Sequence, residues 1–583
     1  MFLATTALEE TWKKEDQILF LGDWCKIFVR KHIWSNLDYE TLNYHWNDRK
    51  EYYEDYKYLD GIYEDYLQIL YHELNLIHNT SYSIRFWRIL IGPWLRYFID
   101  AIFDRYRSII IVQEFNKISS TWIMKNSDED WIPKDINNFY NVFRDDRWNH
   151  FIYGFIIKNL DQIPFTIIDK TNCPPKDFNN LTETKLFSRI KNSITNTYAR
   201  NIPQRFNNII FVDSYFDKID LIKLQLNLGQ LPYLKSPVLD LNDSKVEMGC
   251  RQSFKLKMKC DQFERILNKL IPLQIPKIYL EDFFRLKDIS TNAFPNNAKY
   301  IFTANAYSHN EFFKFWSASQ VERGNKLFIG QHGGNFGTDL WAQDEDHQIK
   351  ISDKFLSWGW TNNKHDNIIP LPSPKLSSIK TKNNFKQSGD ILSVLASLPR
   401  YFYCSYSVPI AGQFLDYINS QIKLLTLLNS EVLEYYKIRM DNPDFDWNIQ
   451  ERFKDIGFDY LLEKRVGSLI DRLDSSRLCI ATHNATVFLE TFSANFPTIV
   501  FIDPQYYEIR KEAKQYFDLL HEVGILHYNA TSTAKKINDI YKNTLDWWKI
   551  EEVQNAKDMF CERFAKKDLN FLKLWENQFD EFD

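Results

Sequence analysis

Two short segments combine residue types that can carry out transfer chemistry. The first is Gly330-Gln331-His332-Gly333-Gly334-Asn335-Phe336-Gly337, an imidazole set among four glycines. Each glycine costs backbone entropy, so this density marks a turn where the backbone must pass close to a ligand or another segment. A histidine in that setting can accept a proton near neutral pH, or donate to a phosphate once charged. His332 is the candidate base, with Gln331, Gly333 and Gly334 beside the donor. The plainer alternative is a tight turn with a packed histidine. The second segment is Thr482-His483-Asn484-Ala485-Thr486-Val487-Phe488-Leu489-Glu490. Small and hydroxyl-bearing residues at a helix start offer backbone amides and the positive end of the helix dipole to a phosphate. Thr482, His483, Asn484 and Thr486 are candidate nucleotide contacts. Glu490, one turn past Thr486, could accept ribose hydroxyls. The plainer alternative is an N-cap followed by a surface glutamate.

Other candidates carry less. Asp23 follows Gly22 at the end of the apolar run Gln17–Leu21, and Asp213 ends the run Asn208–Asp213. Each could be a base or an acceptor-hydroxyl ligand, or simply a capping acid. Arg439, near the end of the run Tyr436–Met440, could pair with a phosphate or a sugar carboxylate. Glu345 and His347 flank the expected domain crossing. Asp444-Phe445-Asp446 has the acid-x-acid spacing of a metal motif, but it follows Pro443 late in the chain. No His, Cys or Asp cluster has metal-ligand spacing, so neither metal nor cofactor is expected.

The elements that must position these residues alternate between apolar runs and amphipathic stretches. Gln17–Leu21, Ser108–Val112, Asn208–Asp213, Tyr300–Thr303 and Lys326–Ile329 read as strands, with a helix near Asn310–Glu322. Tyr52–His78 has helical spacing and reads as an insertion outside the sheet. Asn242–Lys259 is polar and without period, and reads as a loop. A second cycle starts at Lys354–Trp360 and passes through the Pro-, Ser- and Lys-rich stretch Ile369–Lys386, the best linker in the chain. It continues with strands at Asp390–Ala396, Tyr436–Met440, Arg477–Ala481 and Thr498–Ile502, and helices at Gly412–Leu428 and Val487–Ala494. Such alternation predicts parallel, doubly wound sheets, in which ligands bind at the carboxyl ends of strands. Both chemical segments follow a strand.

The chain has 583 residues, too many for one core. Its net charge of −5 argues against a broad nucleic-acid footprint, though not against one phosphorylated small molecule. Seven scattered cysteines without a Cys-x-x-Cys pair fit a reduced protein. No signal peptide is evident. The most apolar stretch, Trp87–Val112, is broken by Arg88, Arg96, Asp100, Asp104, Arg105 and Arg107. It reads as buried helix and strand. Aromatics reach 16%, which composition alone cannot divide between core and sugar-stacking surface.

Five segments together resemble a family of transferases encoded in bacterial O-antigen and surface-polysaccharide clusters. They are Phe20-Leu21-Gly22-Asp23-Trp24-Cys25, the aromatic stretch Tyr82–Leu95, the Gly330–Gly337 turn, Ser352–Trp360 and Thr482–Phe501, which span most of the chain in order. The resemblance implies a GT-B-like transferase acting on surface glycans. The His-Gly turn before a Trp-Gly segment is also similar to the mid-chain layout of capsule and teichoic-acid polymer transferases. In this chain Ala485 stands where a serine is expected, and Asp23 where glutamate is common.

The reading is therefore an α/β, GT-B-like chain of two Rossmann-like domains facing a cleft, with helical insertions in the N-terminal half. Residues 1–350 form the acceptor side, 351–552 bind the donor, and 553–583 cross back, with a helix near Val553–Phe564. The expected activity is sugar transfer from a nucleotide-activated donor to a glycan or lipid-linked glycan. A CMP-linked acidic sugar is favoured by analogy over UDP- or GDP-sugars. Alternatives are polyol-phosphate transfer and a non-catalytic glycan-binding protein. The expected location is the cytoplasm or the inner face of its membrane, with at most peripheral membrane association and no nucleic-acid partner.

Overall fold

The computed structural model describes residues 1–114, 117–174, 206–232, 244–257, 260–295, 298–381, 386–440 and 444–582. Three all-parallel sheets organise the chain. The first contains β1 (Phe2–Ala4), β2 (Ile18–Phe20), β3 (Tyr39–Thr41), β4 (Ser120–Lys125) and β5 (Phe165–Thr171), in the order β3-β2-β1-β4-β5. The middle sheet contains β6 (Ile209–Val212), β7 (Tyr300–Thr303), β8 (Lys326–Gly330), β9 (Lys354–Ser357) and β10 (Ile368–Pro370), laid down in sequence order. The third contains β11 (Asp390–Val394), β12 (Tyr436–Arg439), β13 (Leu462–Glu463), β14 (Ser476–Ala481), β15 (Thr498–Phe501) and β16 (Leu526–His527), in the order β13-β12-β11-β14-β15-β16. Strands such as Ile209–Val212 and Thr498–Phe501 are buried throughout, as continuous apolar runs covered on both faces must be.

The parallel α/β architecture is the one the alternation predicts. Three details differ from the sequence reading. First, the N-terminal half holds two sheets instead of one. The first and third sheets reverse strand order, as doubly wound sheets do, whereas the middle sheet adds every strand at the same edge. Second, β9 pairs with β8 and β10 with β9, so Lys354–Trp360 belongs to the middle sheet and the second cycle begins at β11. Third, Ser108–Val112 is helical. It ends α2 (Ile84–Glu114), which pairs with α1 (Arg49–Ile77). Ile109 and Val112 are buried while Ile110 and Ile111 are half-buried, so packing along one helical face overrides the β-branched propensity. Within Asn242–Lys259 a short helix covers Met248–Gln252, and residues 242–243 and 258–259 lie outside the described residues. So do 382–385 of the linker and 441–443 before Asp444.

The charges that interrupt the apolar stretch of α2 are internal links. Arg96 pairs with Asp60 at 3.1 Å and Asp100 at 3.2 Å. Arg105 pairs with Asp104 at 2.9 Å and donates to Asn149 Oδ1 at 2.9 Å. Buried charges of this kind persist only when paired. Among the described residues no helix is long and apolar enough to cross a membrane.

Three further helices matter for the site. α3 (Gln343–Ile351) follows the glycine-rich turn, and α4 (Thr486–Ser493) follows β14. α5 (Glu551–Phe564) sets Phe560 edge-on to Phe488, Phe492 and Phe517 of the third unit. The chain then returns to the middle unit, where Lys566 N–H donates to Trp358 O at 3.0 Å. α6 (Phe571–Phe582) covers the middle sheet there, with Phe571, Trp575 and Phe579 against Phe211, Phe216, Phe302 and Phe328. The Trp575 indole also donates to Pro372 O at 2.9 Å. Trp575→Ala is expected to cost about 3–5 kcal/mol of unfolding free energy. Lys573→Ala, on the exposed side of α6, should change it by less than about 0.5 kcal/mol. Urea denaturation of the two variants checks this.

Candidate active site

The turn after β8 is shaped by Gln331. Its Oε1 accepts from the Trp358 backbone and the Trp360 indole, both at 2.8 Å, and its Nε2 donates to Gly333 O at 2.7 Å. Buried and so committed, Gln331 braces the turn from inside instead of offering its amide to a donor. The brace presents His332, which is half-buried. The imidazole lies edge-on to Phe336, with ring centroids 5.3 Å apart, and near Tyr215 at 6.1 Å and Tyr307 at 6.3 Å. Burial holds its pKa below the usual histidine value, so the neutral, proton-accepting form prevails at pH 7.

Gly334 brings this turn to the second segment. A β-carbon on Gly334 would lie 2.5 Å from the Ala485 carbonyl carbon and 2.6 Å from Thr486 N. The two backbones are in contact, and only glycine fits there. Gly333, by contrast, has room: its nearest neighbour would be Asn335 Oδ1 at 3.5 Å. Asn484 fastens the contact, donating to Asp339 Oδ1 at 2.7 Å and Thr338 Oγ1 at 3.0 Å. Asn335 donates to the other Asp339 oxygen at 2.9 Å. Desolvation raises the Asp339 pKa well above the carboxylate range. The seam continues outward, where Leu340 N–H donates to Glu508 O and Arg510 N–H to Thr338 O. Arg510 also pairs with Glu345 at 2.9 Å, while Glu345 accepts from Gly337 N–H at 2.6 Å. Arg49, at the start of α1, makes a two-pronged pair with Glu508 at 2.6 and 2.9 Å.

Thr482 sits where the third sheet reverses its order. Its hydroxyl donates to Val394 O of β11 at 2.7 Å and meets Tyr417 Oη at 2.6 Å. Fully buried, it ties β14 to β11, and its role is structural. The opening it frames is the crevice at which doubly wound sheets take ligands. His483 and Thr486 are half-buried at its rim, and Ala485 is the N-cap of α4, with no side-chain cap. The first-turn amides of α4 have no partner within the helix, which suits a phosphate. Glu490 pairs with Lys375 at 2.5 Å. Lys375 lines a small cavity with Ser214, Tyr215, Gly330 and Trp358, at the carboxyl ends of β6, β8 and β9.

The remaining candidates separate. Asp213, at φ 47° after β6, lies 3.8 Å from His309 Nε2, and both stand at the same sheet edge as His332. Burial lowers the His309 pKa, with Asp213 opposing the shift. The sequence reading missed His309, although it closes a one-turn helix just after β7 and obeys the same strand-end rule. Asp23 lies elsewhere: it pairs with Lys26 at 3.0 Å and abuts Gly412, between the first and third units. Arg400, also missed, ties those units by donating to Trp24 O and pairing with Asp146 at 2.8 Å. Arg439 is buried and spends its guanidinium on the Val466 and Gly467 carbonyls. Asp444 caps the backbone of Asn448 and Ile449. Among the described residues no group of three His, Cys, Asp or Glu is placed to hold a metal.

Asn484→Ala removes two buried hydrogen bonds and leaves Asp339 a single side-chain donor. It should lower unfolding stability by about 1–3 kcal/mol, read from the denaturation midpoint.

Comparison with known proteins gives a family and only distant structures. No curated protein matches the chain. Among solved structures, WaaG, a glycosyltransferase involved in lipopolysaccharide biosynthesis, is 10% identical, with a TM-score of 0.29 over 51% of this chain and 95% of its own. MurG from Acinetobacter baumannii is 10% identical, with a TM-score of 0.29 over 52% of this chain and 80% of its own. A glycosyltransferase from Rickettsia africae is 14% identical, with a TM-score of 0.30 over 55% and 87%. These likenesses are too weak to argue from, and the site rests on its own geometry. The sequence model of the LIC12162 family transferase, in contrast, matches residues 1–579, and the chain belongs to that transferase family.

Proposed function

We propose that this transferase is a glycosyltransferase moving a sugar from a nucleotide-activated donor to a hydroxyl of a bacterial surface glycan, such as O-antigen or capsule, free or lipid-linked. The carrying observation is the backbone contact of Gly334 with Ala485 and Thr486, which brings the turn that bears His332 against a helix N-terminus. The donor phosphate sits at the first turn of α4, where the dipole stabilises the charge that builds on the departing nucleotide. Glu490 takes the ribose hydroxyls. His332 accepts the proton of the acceptor hydroxyl as its oxygen bonds to the anomeric carbon and the bond from that carbon to the phosphate oxygen breaks. Asp213 and His309, on the same sheet edge, order the acceptor side. CMP-linked acidic sugars are the first donors to test, then UDP- and GDP-sugars. The reaction proceeds without a metal, and the chain works in the cytoplasm or at the inner face of its membrane.

A nucleotide that binds the folded state raises apparent stability by mass action. One of CMP, CDP, UDP or GDP should therefore raise the melting temperature, and Glu490→Ala should reduce that shift. No shift with any of the four contradicts the donor site. His332→Ala should retain the shift and lose about 10²–10⁴-fold in turnover. Because the base must be neutral and burial depresses its pKa, the acid limb of the rate profile should fall below pH 6.5. Treatment with EDTA should leave the rate unchanged.

A further inference from the structure

The chain leaves β6 through two residues in the left-handed region, Asp213 at φ 47° and Tyr215 at φ 62°. An aspartate visits that region readily, but a bulky tyrosine there is an outlier. Burial does not explain it. Ser214 and Phe216 on either side are buried, whereas Tyr215 is 39% exposed. Phe216 packs against Phe302 and Trp575, with ring centroids 6.2 and 5.0 Å away, and so anchors the turn in the core. An exposed aromatic ring on strained backbone gains little from packing, and strain of this kind collects at ligand sites. We propose that Tyr215 is the platform on which a neutral pyranose ring of the acceptor stacks, a reading that rests on the transferase assignment above.

The ring is held in place and stands beside the proposed chemistry. Asn305 Nδ2 donates to Tyr215 Oη at 3.2 Å. Ala304 N–H donates to Asp213 O at 3.0 Å, which ties the turn to the end of β7. The Tyr215 and His332 rings are neighbours, with centroids 6.1 Å apart and planes tilted by 52°. A sugar laid on Tyr215 therefore borders the candidate base. Because the ring is exposed, the rest of a glycan can extend into solvent.

The surroundings fit the chemistry of a neutral sugar. Polar groups at the rim reach solvent: the side chains of Asp213 and His309 are 29% and 43% exposed and lie 3.8 Å apart. A carboxylate accepts from sugar hydroxyls, and a neutral imidazole both donates and accepts. A pyranose presents C–H bonds on its faces and hydroxyls around its edge, which matches an aromatic ring bordered by such groups. Burial keeps His309 and His332 below the usual histidine pKa, so Asp213 supplies the charge of the turn. Lys375, on the other side of Tyr215, is already paired with Glu490 at 2.5 Å. A phosphate or a sugar acid thus meets a carboxylate without a free cation to offset it.

Saturation-transfer NMR on the full chain tests this with methyl glycosides of glucose, galactose and N-acetylglucosamine. At least one should receive saturation. Tyr215→Phe keeps the ring and should keep the signal. Tyr215→Asn, which suits a left-handed backbone, should weaken binding about tenfold. Its denaturation midpoint should stay at or above the native value, because the ring is not needed for packing. Failure of Tyr215→Asn to fold, or glycoside binding unchanged in it, overturns the proposal. Displacement of the glycoside by whichever of CMP, CDP, UDP or GDP raises the melting temperature also overturns it, since the platform would then belong to the donor. So does the absence of any glycoside signal while a nucleotide still raises the melting temperature, an outcome that leaves the transferase reading intact. Glycoside binding that obeys the two variants in a chain that no nucleotide stabilises supports the platform and contradicts the donor assignment instead.

Discussion

The contact of Gly334 with the backbone of Ala485 and Thr486 is the constraint around which the site is built. It joins the carboxyl end of β8 to the carboxyl end of β14, where the two candidate segments begin. No side chain fits between the two backbones, so the separation of the turn from α4 is set by direct backbone contact. Catalysis by a general base depends on such positioning, since the base must reach the acceptor proton while the leaving group is held elsewhere.

Much of the surrounding structure serves to hold that contact. Gln331 fixes the turn on one side, and Thr482 locks β14 to β11 on the other. Asn484, Asp339 and Asn335 form a buried polar rivet across the seam. Polar networks in low dielectric are costly unless satisfied and specify one arrangement when they are. Arg49 and Arg510 repeat the same logic farther out, each pairing with a glutamate across units. The first sheet joins the assembly through Arg400 and through α1 and α2, which pack beside α3. Its contribution is thus a scaffold packed beside the helix that follows the glycine-rich turn.

The strand-end logic was legible in the sequence because apolar runs followed by Gly330 and by Thr482 are local signals. Those two runs became β8 and β14, and the segments after them met. The helical nature of Ser108–Val112 was not legible, because its pattern is ambiguous until its neighbours are known. The extra N-terminal sheet was hidden because three of its five strands have only three residues, too short to show a period. Roles were harder than positions. Gln331, Thr482 and Arg439 have side chains that could bind a nucleotide, and each turns inward to satisfy backbone or indole groups. Residue type records what a side chain can bond, but the partner is decided by tertiary packing. His309 and Arg400 were passed over for the same reason, since nothing near them in sequence announces Asp213 or Asp146.

The most direct measurement compares kcat/KM for Gly334→Ala and Gly333→Ala, each checked for folding by its denaturation midpoint. The account predicts that Gly334→Ala loses at least about a hundredfold, because the walls must separate by roughly an ångström to admit the methyl group. Gly333→Ala, which meets no close neighbour, should stay within a few-fold of the native chain. Equal activity of the native chain and Gly334→Ala would contradict the claim that this contact sets the site.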